Sequence, residues 1–381
     1  MIDTCVSAST NSTLPPRNIL FVWQPLTVTG GVETFVASCM RLLPAAYGIQ
    51  PYVLQIGPST SPLLPDFEPY HCFLLHLGDP SRFEIGSRFA APAGLLADRD
   101  IDAVVFNDWV FAELVEPLSV RFPVCMVCNS HQPGGIYYSL AARYSKHLRA
   151  IIGVSETITA TLRAHLAPED QRLVHLIRNG IEIPAQWKPS HSLPDEPIRL
   201  IYLGRMEQEY KRVLDLLDLA ADLDRLSVRA KILLVGDGPD RGILEERIAA
   251  SPRENVTFES FGHLGHAAAL ELLDTCDILL LMSDTEGLPL CLLEAAARGV
   301  VPVVTRLPNG IEDYFSEGVS AFLFQPGDTP TAARLIANLN RDRALLARAA
   351  AAARKVVEDF DLQVTLRAFA RLIDEVTTRA A

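Results

Sequence analysis

No stretch of the chain stays apolar for the ~18 residues that a membrane-spanning helix requires. Its first sixteen residues, M-I-D-T-C-V-S-A-S-T-N-S-T-L-P-P, lack a basic lead and a long apolar core. They are not a secretory signal, and residues 1–16 are expected to form a flexible tail. Basic charge is also short: 34 Lys and Arg stand against 46 Asp and Glu, a net charge of −12. That balance excludes broad nucleic-acid binding, which needs a basic face, and limits any membrane association to a peripheral one. Disorder is excluded too, because 49% of the residues are hydrophobic and 21% charged. The seven cysteines are scattered and odd in number, which points to reduced thiols and a cytoplasmic setting. Cys125 and Cys128 form the one C-x-x-C, inside the apolar run Pro123 to Cys128, and read as buried strand residues. No second pair stands at zinc spacing. The D-x-D triplets Asp98–Asp100 and Asp359–Asp361 do not follow strands as a metal–diphosphate site needs, so no metal is expected.

At 381 residues the chain has room for two domains. In the first, residues 17–182, short apolar runs alternate with helical periodicity, the pattern of a parallel doubly wound sheet. Asn18 to Trp23 is such a run. A loop ending in Gly30-Gly31 follows, then a helix with apolar residues from Val32 to Leu43. Glycines at this handover let a ligand approach free N–H groups at the helix start. Asp102 to Asn107 and Val124 to Cys128 are further strands. In such sheets ligands bind beyond the carboxyl ends of the strands. Trp23, Asn107, Asp108, Trp109 and His131 fall at those ends.

Residues 183–197 hold four prolines between Pro184 and Pro197 and read as a linker. A second domain, residues 198–358, opens with the β-run Ile198 to Leu203. Gly204-Arg205, Lys211 and a helix over Arg212 to Leu223 come next. Lys231 to Val235 leads into Gly236-Asp237-Gly238-Pro239. This is no dinucleotide fingerprint: the third glycine, Gly242, comes one residue late, and Pro239 stands inside the turn. After Phe261-Gly262-His263-Leu264 and a helix comes the apolar run Ile278 to Met282, with the polar loop Ser283 to Gly287 behind it. Pro289 suits the first turn of a helix, Leu290 to Arg298 continues it, and Gly299 suits its end. A helix start is a ready anion site, and here Glu286 and Glu294 bracket it. Leu345 to Val357 and Leu362 to Val376 are helical.

The segment E-G-L-P-L-C-L-L-E resembles the E-x7-E signature of the retaining glycosyltransferases of family 4. Gly204-Arg205 with Lys211 resembles that family's G-R-x5-K element, and G-G-V-E, I-R-N-G-I-E and V-G-D-G-P are similar to its other turns. Two departures stand out. Leu288-Pro289 replaces the frequent Phe-Gly, and Asn309 replaces a glycine in the turn before Glu312. The resemblance implies an α/β fold of two facing Rossmann-like parallel-sheet domains (the GT-B type), with the helix in 359–381 crossing back to the first. It implies transfer of a sugar from a nucleoside-diphosphate sugar to a hydroxyl acceptor with the anomeric configuration retained. No cofactor is implied, the nucleotide sugar being a substrate.

By the same resemblance, Arg205, Lys211 and the helix start at Leu290 hold the departing diphosphate. Glu286 holds hydroxyls of the donor sugar, and Glu294 those of the ribose. Gly31 faces the diphosphate from the first domain, and His131 lies near the transferred sugar. Gly204, Gly236, Leu264, Gly287, Leu288 and Cys291 line the donor pocket, while Trp23, Asn107, Asp108 and Trp109 face the acceptor. The chemistry suits the residue types, since a guanidinium forks two phosphate oxygens and an ammonium supplies a point charge. Three other activities are open to these residues: a sugar-nucleotide epimerase, a hydrolase on the same fold, or a non-catalytic binder of sugar nucleotides. A hydrolase has no need of the Arg205–Lys211 pair. The sequence fixes neither donor, acceptor nor oligomeric state.

Overall fold

The structure is a computed structural model, and it describes residues 16–23, 30–57, 72–76, 100–107, 111–129, 135–187, 192–307 and 311–378. Asp108, Trp109 and His131 lie outside the described residues, as do Asp98 and Asn309. Trp23 closes the first strand.

Two parallel sheets organise the chain. The first has seven strands in the order β3-β2-β1-β4-β5-β6-β7. These are Arg17–Trp23 (β1), Ile49–Gly57 (β2), Cys72–His76 (β3), Ala103–Phe106 (β4), Val124–Cys128 (β5), Ala150–Gly153 (β6) and Val174–Leu176 (β7). The second has six strands in the order β10-β9-β8-β11-β12-β13. They are Ile198–Leu203 (β8), Ala230–Val235 (β9), Val256–Gly262 (β10), Ile278–Leu281 (β11), Val301–Thr305 (β12) and Phe322–Phe324 (β13).

The central strands are apolar on both sides because helices cover both faces. In β8, Ile198, Leu200 and Tyr202 join one cluster of buried side chains, while Ile201 joins the cluster beneath the other face. That division follows the two-residue period of a strand. Cys125 and Cys128 are buried in β5, as their apolar run predicts, and burial pushes both thiols far up, Cys125 to about 12.

The last helix, Leu362–Thr378, belongs to the first domain's core although it follows the second domain in sequence. Leu366, Phe369, Ile373 and Val376 repeat at helical spacing, and Phe369 stacks on Phe21 at 5.9 Å and meets Phe35 edge-on at 6.0 Å. Each such side chain contributes about 1.5–3 kcal/mol on burial, enough to hold the return crossing.

The crossing passes over the I-R-N-G-I-E run. Ile181 N–H donates to Phe360 O (2.9 Å), Leu362 N–H to Ile181 O (2.9 Å), and Thr365 Oγ1 to Arg178 O (2.9 Å). A Cβ on Gly180 would lie 2.4 Å from Thr365 Oγ1 and 2.7 Å from Leu362 Cα. The glycine there serves close packing against the returning chain. Beside it, Arg178 pairs with Glu156 of the first domain and donates to the Tyr314 hydroxyl of the second (3.2 Å).

Two helix expectations need correction. The helix expected over Arg212 to Leu223 begins only at Asp215 and runs to Arg225, and a separate one-turn helix, Gln208–Lys211, precedes it. Arg212 between them is left-handed, at φ 50°. Gln208 Oε1 takes the Leu214 N–H (2.8 Å), and Arg212 Nε donates to Asp215 Oδ2 (2.8 Å), so side chains stabilise the break. Pro289, expected in the first turn, instead stands just before helix Leu290–Ala297, with extended backbone at ψ 121°. Gly299 ends that helix at φ 73°, the left-handed conformation that glycine permits.

Candidate active site at the second switch point

In each sheet the strand order reverses once, between β1 and β4 and between β8 and β11. Loops leaving two such neighbouring strands go to opposite sides and open a crevice between them. In the second sheet these are the loop carrying Arg205 and Lys211 and the loop carrying Glu286. Residues 75 positions apart thereby meet: Lys211 Nζ donates to Glu286 Oε1 at 2.6 Å.

Glu286 is fixed from its own loop as well. Ser283 Oγ donates to the same Oε1 (2.7 Å), and Thr305 Oγ1 braces the loop by donating to Ser283 O (2.7 Å). Both contacts fall on Oε1, leaving Oε2 for another donor. Burial works against the charge on Lys211, but the Glu286 carboxylate outweighs it and holds the lysine pKa above its ordinary value. The contribution of that ion pair is complete below the ordinary lysine pKa. It is lost only as the pH climbs through the raised one.

The two loops are further tied together. Asp284 N–H donates to Tyr210 O (2.9 Å), and Arg212 Nη1 reaches Asp284 Oδ2 at 3.3 Å. Tyr202, buried at the end of β8, donates its hydroxyl to Arg205 O (2.6 Å) and so fixes the turn that presents the Arg205 side chain. Burial, with the Glu286 charge adding to it, pushes the Tyr202 pKa well up, so the phenol stays a neutral donor. Arg205 is 43% exposed, with Glu207 Oε2 at 3.4 Å from its Nε. It is the open cation of the site.

Gly236 and Gly238 interlock the turn after β9 with this one. A Cβ on Gly236, which has φ +138°, would lie 1.9 Å from Gly204 O. A Cβ on Gly238 would lie 2.3 Å from Met206 O. Met206 N–H donates to Asp237 O (2.9 Å), and Gly236 N–H donates to Gly262 O (2.8 Å) at the end of β10.

Helix Leu290–Ala297 starts at the crevice, and its first N–H groups have no partner within the helix. Leu288 and Leu290, expected to line the donor pocket, have buried side chains that join the second domain's core. Cys291 is half-buried, and burial, then the Glu286 charge, pushes its thiol up to about 12. It is protonated at neutral pH and no nucleophile. Glu294, one turn further on, is buried, with Oε1 at 2.6 Å from His266 Nε2. His266 was not singled out in the sequence; His263, nearby, is exposed. Leu264, between them, is half-buried.

Across the crevice stands the first domain's glycine turn. Gly30 N–H donates to Glu33 Oε2 (2.9 Å), which makes the Glu of G-G-V-E the helix cap that shapes the turn. A Cβ on Gly31 would lie 3.6 Å from Leu290 Cγ. Gly31 and the start of helix Leu290–Ala297 therefore face each other, with room between them for little more than one added methyl group. At the first switch point, Asn107 N–H donates to Val22 O (3.1 Å) and Asn129 Nδ2 to Asn107 O (3.0 Å). The Asn107 side-chain amide is buried, with no hydrogen-bond partner among the described residues. Among those residues, no three His, Cys, Asp or Glu side chains group as metal ligands. No described helix is long and apolar enough to cross a membrane.

Residues 185–356 match the family model described as glycosyl transferases group 1. The second domain resembles that family. Glycogen synthase of Mycobacterium tuberculosis is 29% identical over 286 residues, 71% of this chain and 68% of that protein. N-acetyl-alpha-D-glucosaminyl L-malate synthase of Bacillus anthracis is 33% identical over 161 residues, 42% of this chain and 40% of that one. Among solved structures, HepE of Anabaena in complex with UDP superposes with a TM-score of 0.72 at 16% identity, covering 94% of this chain and 100% of that one. Sucrose-phosphate synthase of Thermosynechococcus elongatus gives 0.74 at 16%, covering 95% and 100%. The fold is the two-domain GT-B arrangement, with the returning C-terminal helix.

Proposed function

We propose that this chain is a group 1 glycosyltransferase that moves a hexose from a nucleoside-diphosphate sugar to a hydroxyl acceptor, with retention and without a metal. The observation that carries the reading is the convergence at one switch point of Arg205, Lys211, Glu286 and the start of helix Leu290–Ala297. As the glycosidic bond breaks, negative charge grows on the diphosphate. Arg205, Lys211 and the helix N–H groups are placed to meet it in advance, which is where most such catalysis lies. Each charge-assisted hydrogen bond is worth about 1.5–3 kcal/mol. Glu286 Oε2 takes a sugar hydroxyl, and Glu294 takes ribose hydroxyls. The first domain supplies the acceptor side through Asn107 and the loops around it, His131 and Trp109 included. Closing Gly31 onto the diphosphate excludes water, the competing acceptor. Relatives named as sugar synthases and neighbours crystallised with UDP and UDP-glucose support the donor class. A place in polysaccharide, glycolipid or glycoconjugate assembly, at the cytoplasmic side of a membrane, fits that class.

The test is thermal stabilisation by UDP, GDP, ADP and dTDP, each without metal and then with magnesium. One nucleotide should raise the melting temperature without magnesium. At a hundredfold excess over Kd the gain is about 2.7 kcal/mol. Arg205→Ala should abolish it. No shift with any of the four at millimolar concentration overturns the reading. Product analysis with the matching sugar nucleotide then separates a transferase from an epimerase, and the anomer formed checks retention.

A further inference from the structure

We infer that His266 is a positioning residue that fixes Oε1 of Glu294 and thereby sets how strongly the site prefers a ribose bearing its hydroxyls. The inference rests on the reading of Glu294 as the ribose acceptor and adds to it a residue from a different element.

The geometry is specific. Glu294 sits inside helix Leu290–Ala297, and its carboxylate is buried but for a side-chain exposure of 9%. His266 is the first residue of helix His266–Leu273, placed by the extended Gly265 before it. Its imidazole is 42% exposed, yet its Nε2 reaches Glu294 Oε1 at 2.6 Å. The other end of this helix is anchored in the core by Ala269 and Leu273, so its start is held in place. A glutamate has three side-chain torsions, and its last one is broad and twofold. Without a second anchor the carboxylate turns among several orientations, of which few meet a ribose. With Oε1 held by His266, the plane of the carboxylate is set, and Oε2 keeps its acceptor capacity for the ligand. A short hydrogen bond to a carboxylate is of the strong, charge-assisted kind.

His266 also lies two residues beyond Leu264, and the Gly262 carbonyl accepts from Gly236 in the neighbouring turn. The segment from Gly262 to His266 thus links the turn beside Arg205 to the Glu294 carboxylate. A purely structural ion pair would serve the packing of two helices and nothing else. The partial exposure of His266 and the burial of Glu294 favour the positioning role. Helix His266–Leu273 buries its opposite side without help from the histidine.

The experiment compares binding of the ribonucleoside diphosphate identified by thermal shift with its 2′,3′-dideoxy analogue, by calorimetry. The wild-type protein should prefer the ribose form by at least tenfold. His266→Ala should fold normally and bring the two affinities within about threefold, chiefly by weakening the ribose form. His266→Gln, whose amide nitrogen reaches about as far as Nε2, should restore most of the preference. A purely structural histidine would leave the ratio unchanged or weaken both ligands equally, and either result overturns the inference. Its failure is distinct from that of the donor reading. If the wild-type protein binds no nucleotide, the functional reading and this inference fall together. If it binds with a ribose preference that His266→Ala keeps, only the inference falls.

Discussion

Gly236→Ala is expected to lower the melting temperature of the second domain by about 10 °C and to remove nucleotide binding. The new Cβ would lie 1.9 Å from Gly204 O, and the backbone there holds φ +138°, which side chains rarely adopt. Strain of this kind costs about 1–3 kcal/mol and overpacking about 1–3 kcal/mol more. For a domain of this size each kcal/mol is worth roughly 2–4 °C. The clash is with backbone on both sides, so no side chain can swing away to relieve it. Any relaxation pushes Gly204 and Arg205 outward, and Arg205 is the open cation of the proposed diphosphate site. Gly242→Ala is the control. It stands in helix Arg241–Ala250 with nothing within 4 Å of its Cβ, and should gain up to about 1 kcal/mol from helix propensity. The two glycines belong to one glycine-rich stretch of sequence and should shift the melting temperature in opposite directions. Calorimetric scans of both variants check this. A Gly236→Ala protein as stable as wild type would show that the two turns are not interlocked.

The same contrast shows what the sequence could reveal. Strand runs were legible because both faces of a central strand are apolar, whereas the order of the strands, and with it the switch points, came only with the structure. The donor-side loops were legible because short motifs, G-R-x5-K and E-x7-E, place charge directly after strands. What a glycine is for was less legible: Gly180 sits in Asn-Gly, a common turn pair, yet it marks where the returning chain passes within contact. Nor was the break at Arg212. Val213, Leu216, Leu219, Ala220 and Leu223 repeat at helical spacing and are all buried, but that pattern does not show that the helix starts only at Asp215, beyond a residue whose backbone has turned left-handed. Local side-chain bonds from Gln208 and to Asp215 decide the matter there, and apolar periodicity carries no trace of them. His266 was missed for a related reason: an exposed histidine at the start of a helix gives no pattern until Glu294 is brought beside it. Of the acceptor-side residues read from the sequence, Asp108 and Trp109 lie outside the described residues, and Asn107 has a buried amide without a hydrogen-bond partner among the described ones.

Glu286→Gln should bind the nucleoside diphosphate about fivefold more tightly while transferring sugar at least a hundredfold more slowly. Lys211 Nζ and Ser283 Oγ both donate to Glu286 Oε1, so the cation expected to hold phosphate is engaged by a carboxylate before the donor arrives. A phosphate oxygen that shares Lys211 with Glu286 lies within two hydrogen bonds of that carboxylate, about 5.5 Å. At an effective dielectric near 20 the repulsion is then about 3 kcal/mol per unit charge. Against this stands the benefit of holding a flexible lysine in place, at most about 2 kcal/mol of side-chain freedom. Repulsion wins by about 1 kcal/mol, roughly a factor of five in Kd. The glutamine keeps the shape and removes the charge, so Lys211 turns wholly to the phosphate. For the intact sugar nucleotide the balance is different, because the sugar hydroxyls donate to Glu286 Oε2, and charge on that acceptor strengthens the bond as the sugar becomes electron-poor in the transition state. Loss of one such preorganised interaction costs about 10²–10³ in turnover. Lys211→Ala should do the reverse for binding, weakening the diphosphate, and should leave Glu286 repelling it unopposed. Calorimetry with the diphosphate alone, beside turnover with the sugar nucleotide, separates the two effects. If Glu286→Gln weakens the diphosphate, the carboxylate is holding Lys211 ready for phosphate and is not competing for it.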